Sequence, residues 1–283
     1  MALLARLTAA GTPVRCLARD PRRLGEERVR VQIALGDLSD PHSFRHALRD
    51  VDTVVHLAAV IRDQRSGTIE ELSGIATWRL VRAAERAGVQ RFVFFSALGA
   101  CTRSAARLMR AKAIAERAVV HSSLAYTVFA PSIVYAPSDP YLTLLRRMSW
   151  LPVMPIPGSG RAAFQPIWAR DVAECVLASL PGGASAADAV GARYELAGPD
   201  TLTHQQIVEL ALRSVHRRRP IVKVPARMTR PALKLVELLI GPTAFATWDE
   251  AELLAVPMTS SRGSADAERL GVVPKPMGAV LGE

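Results

Sequence analysis

The chain has little with which to build a covalent or metal framework. Its 283 residues include three cysteines, Cys16, Cys101 and Cys175. The number is odd and no Cys-x-x-Cys occurs, which argues against a disulfide scaffold or a zinc site and suits a reducing compartment. Cys16 and Cys175 lie in apolar runs and read as small core residues. No spacing of His, Cys and carboxylates stands out as a metal site, and none is assigned. No apolar run reaches the ~20 residues of a spanning helix, and no secretory signal pattern is present. The expectation is a cytoplasmic protein, at most peripheral to a membrane.

Hydrophobic residues make up 49% and charged residues 22%, enough for one main and one smaller domain. Lys and Arg number 36 against 26 Asp and Glu, a formal net charge of +10. That sign suits an anionic ligand, a nucleic acid or an acidic membrane. The basic residues are nearly all Arg and are scattered along the chain, which argues against the last two. The one dense run, HRRRP (216–220), reads as a solvated loop or helix end.

Apolar runs bounded by turn residues predict buried strands at 13–19, 29–35, 53–59, 91–97 and 125–131. Helical patterns lie between them. The segment 40–50 starts with Asp40 as N-cap and Pro41 in the first turn. The segment 69–88 is amphipathic and closes on Gly88. A long Ala-rich helix is expected over 105–123. Strands alternating with helices imply parallel βαβ units in a doubly wound α/β sheet. After residue 135 Pro and Gly become frequent, and 136–283 reads as a smaller substrate-side lobe. One helix near 171–180 is expected to pack back on the first domain, 1–135. The stretch 231–255 reads as two apolar helices. They form either the lobe's own core or a contact for a protein partner or membrane surface.

The motifs VRCLARDP, LGDLSDP, VDTVVHLAA, AAERAGVQRFVFFSALGA, RAKAIAERAV, YTVFAPSIVYAP, FQPIWARDVAECV and YELAGPDTLTHQQIVEL follow one another in order. Together they resemble an extended or atypical short-chain dehydrogenase/reductase of the NAD(P)-dependent epimerase/dehydratase type. The subgroup they are most similar to is the NAD(P)-binding proteins akin to the nucleotide-binding accessory subunit of respiratory complex I. The resemblance covers nearly the whole chain and implies a Rossmann-like fold. In that pattern Arg19 stands at the ribose-reading end of the second strand. Its guanidinium fork suits a 2′-phosphate, so NADP(H) is favoured over NAD(H). Asp37 and Leu38 match the adenine-contacting turn, and Ala58 and Ala59 the small residues beside the cofactor. Pro131, Ser132 and Ile133 match the segment lining the nicotinamide.

The resemblance also places a catalytic Ser at Ser96 and the Lys at Lys112. Both have plainer readings, as a strand-end Ser and a solvent-facing helix Lys. The Tyr position is Leu108, which carries no proton, so the usual acid is missing. Tyr135 is a weak substitute donor. Glu116 reads as the i+4 partner of Lys112, His56 as a strand-end histidine, Trp168 as a core residue and Asp171 as a helix N-cap joining the lobes.

No Gly-x-x-Gly-x-x-Gly loop occurs anywhere, and GSG at 158–160 lacks a strand-loop-helix context. The central first strand of the usual order is absent too. Its loss would remove burial worth roughly 6–12 kcal/mol, against a domain's net ~5–15 kcal/mol. Two outcomes are expected: the protein begins upstream of Met1, or the flanking strands re-pair across the gap. Three functions remain open. One is an NADP(H)-binding protein of weak or absent catalysis, acting as nucleotide sensor or assembly partner. Another is an active NADP-dependent reductase or sugar-type epimerase/dehydratase on an unnamed small carbonyl substrate. The third is a cofactor-free interaction protein. No nucleic acid partner is expected.

Overall fold

A computed structural model of the protein describes residues 1–64, 66–225, 231 and 248–282. Helix α1 (Ala2–Ala9) passes through Gly11, whose φ of +70° is left-handed, into β1 (Arg15–Ala18). After β2 (Gln32–Leu35), α2 (Pro41–Phe44) starts on Asp40, whose carboxylate accepts from His42 N at 2.9 Å. Strand β3 (Thr53–His56) leads to a wide π turn (Glu70–Ile75) and α3 (Ala76–Ala87). Gly88 ends α3 at φ +75°, a conformation that costs glycine least. Then come β4 (Arg91–Phe95), α4 (Arg107–Val120) and β5 (Ala125–Pro131).

The second half is built of shorter pieces. They are β6 (Val134–Tyr135), α5 (Pro140–Met148), β7 (Met154–Pro157), β8 (Ala163–Phe164) and β9 (Ile167–Trp168). Helix α6 (Ala169–Ser179), β10 (Ala192–Leu196), β11 (Leu202–Thr203), α7 (His204–Arg213) and β12 (Ile221–Val224) follow. A capping box of Thr203 and Gln206 starts α7. Helix α8 (Trp248–Leu253) falls within the 231–255 stretch expected to carry apolar helices. Most of that stretch lies outside the described residues.

The parallel sheet is in two parts. Strands run in the order β10-β5-β4-β3, and β1-β2 form a separate pair. The β1 side bonds β2 through alternate residues: Gln32 N donates to Val14 O and Gly36 N to Ala18 O. Arg15 and Leu17 therefore turn their backbone groups to the opposite edge. By the same register β3 gives Asp52 and Val54 to β4 and leaves Thr53 and Val55 on its free edge. The expected re-pairing across the gap does not occur. Side chains hold the two parts instead. Leu17 and Val54 pack on one shared apolar cluster, and Val14 and Val55 on another.

Alternation along β4 sorts the core onto the two faces. Phe92 and Phe94 join Phe44, Leu80, Val81, Ala115 and Val119 beneath α3 and α4. Val93 joins Leu3, Leu7, Val172 and Val176 beneath α1 and α6. Arg6 of α1 pairs with Glu174 of α6 at 2.7 Å. A third cluster gathers Leu98, Met109, Tyr135, Leu142, Ile156, Phe164, Ile207 and Met258. Gly198 lets its strand end cross Pro166, where a Cβ would stand 1.9 Å from the carbonyl oxygen.

Candidate functional site

The C-terminal ends of parallel strands are where this fold presents polar groups to a ligand. Arg19 follows β1 and reaches across to the loop after β3, donating to Gln64 Oε1 at 2.9 Å. Its guanidinium also stands 3.6 Å from Asp37. Asp37 builds its own turn, accepting from Ser39 N at 2.9 Å, while its amide donates to Ser43 Oγ at 2.8 Å. Leu38 packs inward on the cluster beneath α3. Ala58 and Ala59 are exposed, between Leu57 and Ile61, which are 51% and 44% exposed. Beside Arg19 there is thus an open apolar floor.

Ser96 follows β4, and Lys112 lies on α4. Lys112 is 6% exposed and donates its ammonium to the carbonyl of Phe95. Burial pulls its pKa down to about 8. The Phe94 ring lies 5.2 Å from Nζ and supplies a cation–π contact. The solvent-facing reading of this lysine is therefore overturned, because α4 turns that side chain onto the sheet. His56 also stacks on Phe94, with ring centroids 5.8 Å apart. Its Nε2 is 2.8 Å from Thr77 Oγ1, and Thr77 gives its own proton to Ser73 O at 2.9 Å. Nε2 therefore carries the hydrogen. Burial, with the nearby Lys112 charge, pushes the His56 pKa down to about 3, so it stays neutral.

Ser96 donates its hydroxyl to Glu116, and Glu116 in turn pairs with Arg193 of β10 at 2.8 Å. Glu116 is thus not the ion-pair partner of Lys112. Its carboxylate instead joins Ser96, just past β4, to Arg193 on β10. Ser132 is 4% exposed; its hydroxyl donates to Met258 O at 2.7 Å and accepts from Gln165 N at 3.0 Å. It ties the β5 end to 258 and has no proton to spare. Pro131 O accepts from Leu98 N and Ile133 O from Ile167 N, each at 2.9 Å. Ile133 also packs against the third core cluster.

Leu108 sits in the first turn of α4, half-buried. Its neighbour Arg107 is bonded to Asp63 at 2.9 Å and Glu70 at 2.6 Å, which raises its pKa further. This ion-pair cluster pins the loop after β3 to α4. The sequence reading missed it, because Asp63, Glu70 and Arg107 are far apart in the chain and no motif joins them. Tyr135 is buried among Leu142 and Met154. Burial and the charges of Asp171 and Asp200 raise its pKa, so it is a poorer acid than an ordinary phenol. Trp168 is half-buried at the edge of the third cluster, with Lys275 5.3 Å over its ring. Asp171 is not the N-cap of α6. That place is Trp168, and Asp171 lies in the first turn, accepting from Lys275 N at 2.9 Å.

Two places offer a cation that a dinucleotide could use. In a dinucleotide complex Arg19 would stand at the adenosine-ribose end and buried Lys112 at the nicotinamide end, while the Pro131 and Ile133 carbonyls and the Ser132 amide are already bonded within the protein. Residues 1–283 hold no Gly-x-x-Gly-x-x-Gly loop, and no side-chain cap bond is made at the start of α1. Among the described residues no group of three His, Cys, Asp or Glu can hold a metal ion. None of the described helices is long and apolar enough to cross a membrane.

A family profile described as NAD(P)H-binding matches residues 1–147. Subunit 9 of the NADH dehydrogenase [ubiquinone] 1 alpha subcomplex of Arabidopsis thaliana is 28% identical over 214 residues, 74% of this chain and 52% of the relative. The NAD(P)H azoreductase of Xenophilus azovorans is 28% identical over 204 residues, 71% of this chain and 65% of the relative. The chain thus spans about half to two thirds of the length of these relatives. Among solved structures, a nucleoside-diphosphate-sugar epimerase of Staphylococcus aureus superposes with a TM-score of 0.74 at 19% identity. That match covers 100% of this chain and 95% of the other.

Proposed function

The chain belongs to the NAD(P)H-binding family, and from that premise we propose that it binds NADP(H) without running carbonyl reduction, as a nucleotide-responsive partner in a larger assembly. The observation that carries this reading is the acid position. Leu108 offers no proton there, the Ser96 hydroxyl is committed to Glu116, and Lys112 is committed to the Phe95 carbonyl. A bound nicotinamide would supply a hydride. The three positions that would serve a carbonyl, Ser96, Leu108 and Lys112, offer no uncommitted donor for the proton it needs with the hydride. Arg19 and Lys112 would hold the two ribose ends, and the Leu57–Ile61 floor would shield the cofactor from water. Arg19, half-exposed and anchored by Gln64, supports a preference for the 2′-phosphate.

Calorimetric titration with NADPH and NADH, beside a turnover assay over a panel of carbonyl substrates, tests this. Binding without turnover supports it, and Arg19→Ala should then weaken NADPH by about tenfold, a charge-assisted pair, and NADH little. Turnover abolished by Ser96→Ala would instead favour an active NADP-dependent reductase or epimerase. The azoreductase relative gives that second reading its support. No response to either nucleotide would leave a cofactor-free interaction protein.

A further inference from the structure

Trp150 is 76% exposed, unusual for so large an apolar side chain. It opens a run of four exposed residues, Trp150-Leu151-Pro152-Val153, between α5 and β7. Leu151 is 45% and Val153 40% exposed. The parallel pairing of β7 with β12 sets Val222, 45% exposed, beside Pro155. The same pairing brings the 216–220 run to this apolar tip. The Arg217 guanidinium lies 3.4 Å from the Trp150 ring centroid, and Arg219 Nε donates to Ser149 O at 3.0 Å. Segments 140–160 and 210–225 together hold Arg146, Arg147, Arg213, Arg217, Arg218, Arg219 and Lys223, and no Asp or Glu.

We propose that this tip, Trp150–Val153 with Val222 inside an arginine rim, docks the protein on an anionic lipid bilayer. An indole and branched aliphatics ringed by guanidinium groups match the two layers of a bilayer interface. Apolar tips enter the headgroup and acyl boundary, and cations meet lipid phosphates. A nucleic acid would use the arginines and the indole and leave Leu151, Val153 and Val222 without a match. Pro152 and Pro220 stiffen the two loops, so little conformational freedom is lost on docking. The tip is built on the loop between α5 and β7 and on β12, elements that carry neither Arg19 nor Lys112, so the proposal does not rest on nucleotide binding.

The test is co-sedimentation of the full chain with vesicles of phosphatidylcholine alone and with 30% phosphatidylglycerol. Binding is expected only to the anionic vesicles, falling steeply with added salt. Arg147 and Arg218 are exposed, and no side-chain bond of theirs contributes to the fold described above. Arg147→Gln with Arg218→Gln should lower affinity about 25-fold, at about fivefold per charge near the surface. Trp150→Ser should lower it about tenfold or more. Brominated lipids should quench the wild-type tryptophan emission and lose most of that effect in Trp150→Ser. Equal binding to neutral vesicles, or wild-type affinity in both variants, overturns the proposal. So does an absence of vesicle binding alongside tight capture of an acidic protein.

Discussion

Replacing Lys112 by methionine removes a buried ammonium and keeps a long apolar stem in the same place between α4 and β4. The wild-type ammonium has its pKa pulled down from 10.5 to about 8 by burial. Two and a half pH units at about 1.4 kcal/mol each amount to roughly 3–4 kcal/mol, an order-of-magnitude figure. Because the folded pKa lies below the unfolded one, the folded state bears that full cost below pH 8. Between pH 8 and 10.5 the unfolded chain holds the extra proton, so wild-type stability rises with pH across that window. Lys112→Met has no such cost. It does leave the Phe95 carbonyl without its donor, a loss of about 1–2 kcal/mol. The variant is therefore expected to exceed wild type by about 1–3 kcal/mol at pH 7 and to fall to or below it by pH 10.5. Urea denaturation of both proteins at half-unit steps from pH 7 to 10.5 measures the difference. A difference that stays flat across that range would refute a buried charged lysine.

His56 titrates in the opposite part of the scale. Its folded pKa of about 3 lies below the ordinary 6.5, so stability should fall as pH drops from 6.5 toward 3, and His56→Gln should flatten that slope in an acid denaturation series. Glu116→Gln weakens the chain from Ser96 to Arg193 and should cost about 1 kcal/mol in urea denaturation; no measurable change would remove that chain from the stability of the fold. The amides of Leu17 and Val55 face the open edges and should exchange with deuterium faster than those of Val93 and Phe94 inside the sheet. Equal protection would mean that the gap is closed in solution.

Much of the first half was legible because its signals are local. Asp40 with Pro41, and Gly88 after its amphipathic run, mark helix ends by backbone chemistry alone. The 91–95 and 125–131 strands are apolar runs that only a sheet covered on both faces can bury. Helix ends were misplaced where a side chain serves a distant segment, as with Asp171, which holds Lys275 rather than its own helix. The candidate site was legible only as positions. Lys112 and Glu116 are four residues apart on one helix, and spacing alone pairs them. Packing instead offered Lys112 the Phe95 carbonyl and offered Glu116 a hydroxyl and a guanidinium from two other strands.

The sequence by itself determined the alternation of strands and helices and the leucine at position 108. Each is a property of neighbouring residues or of a single side chain. Only the tertiary structure decided that the β1-β2 pair and the four-stranded sheet meet through side chains on both faces without pairing among the described residues, and that Lys112 is buried. It also gathered the scattered arginines of 140–160 and 210–225 around Trp150. These follow from contacts between segments tens of residues apart, whose free energies depend on burial and distance and leave no periodic trace in the chain.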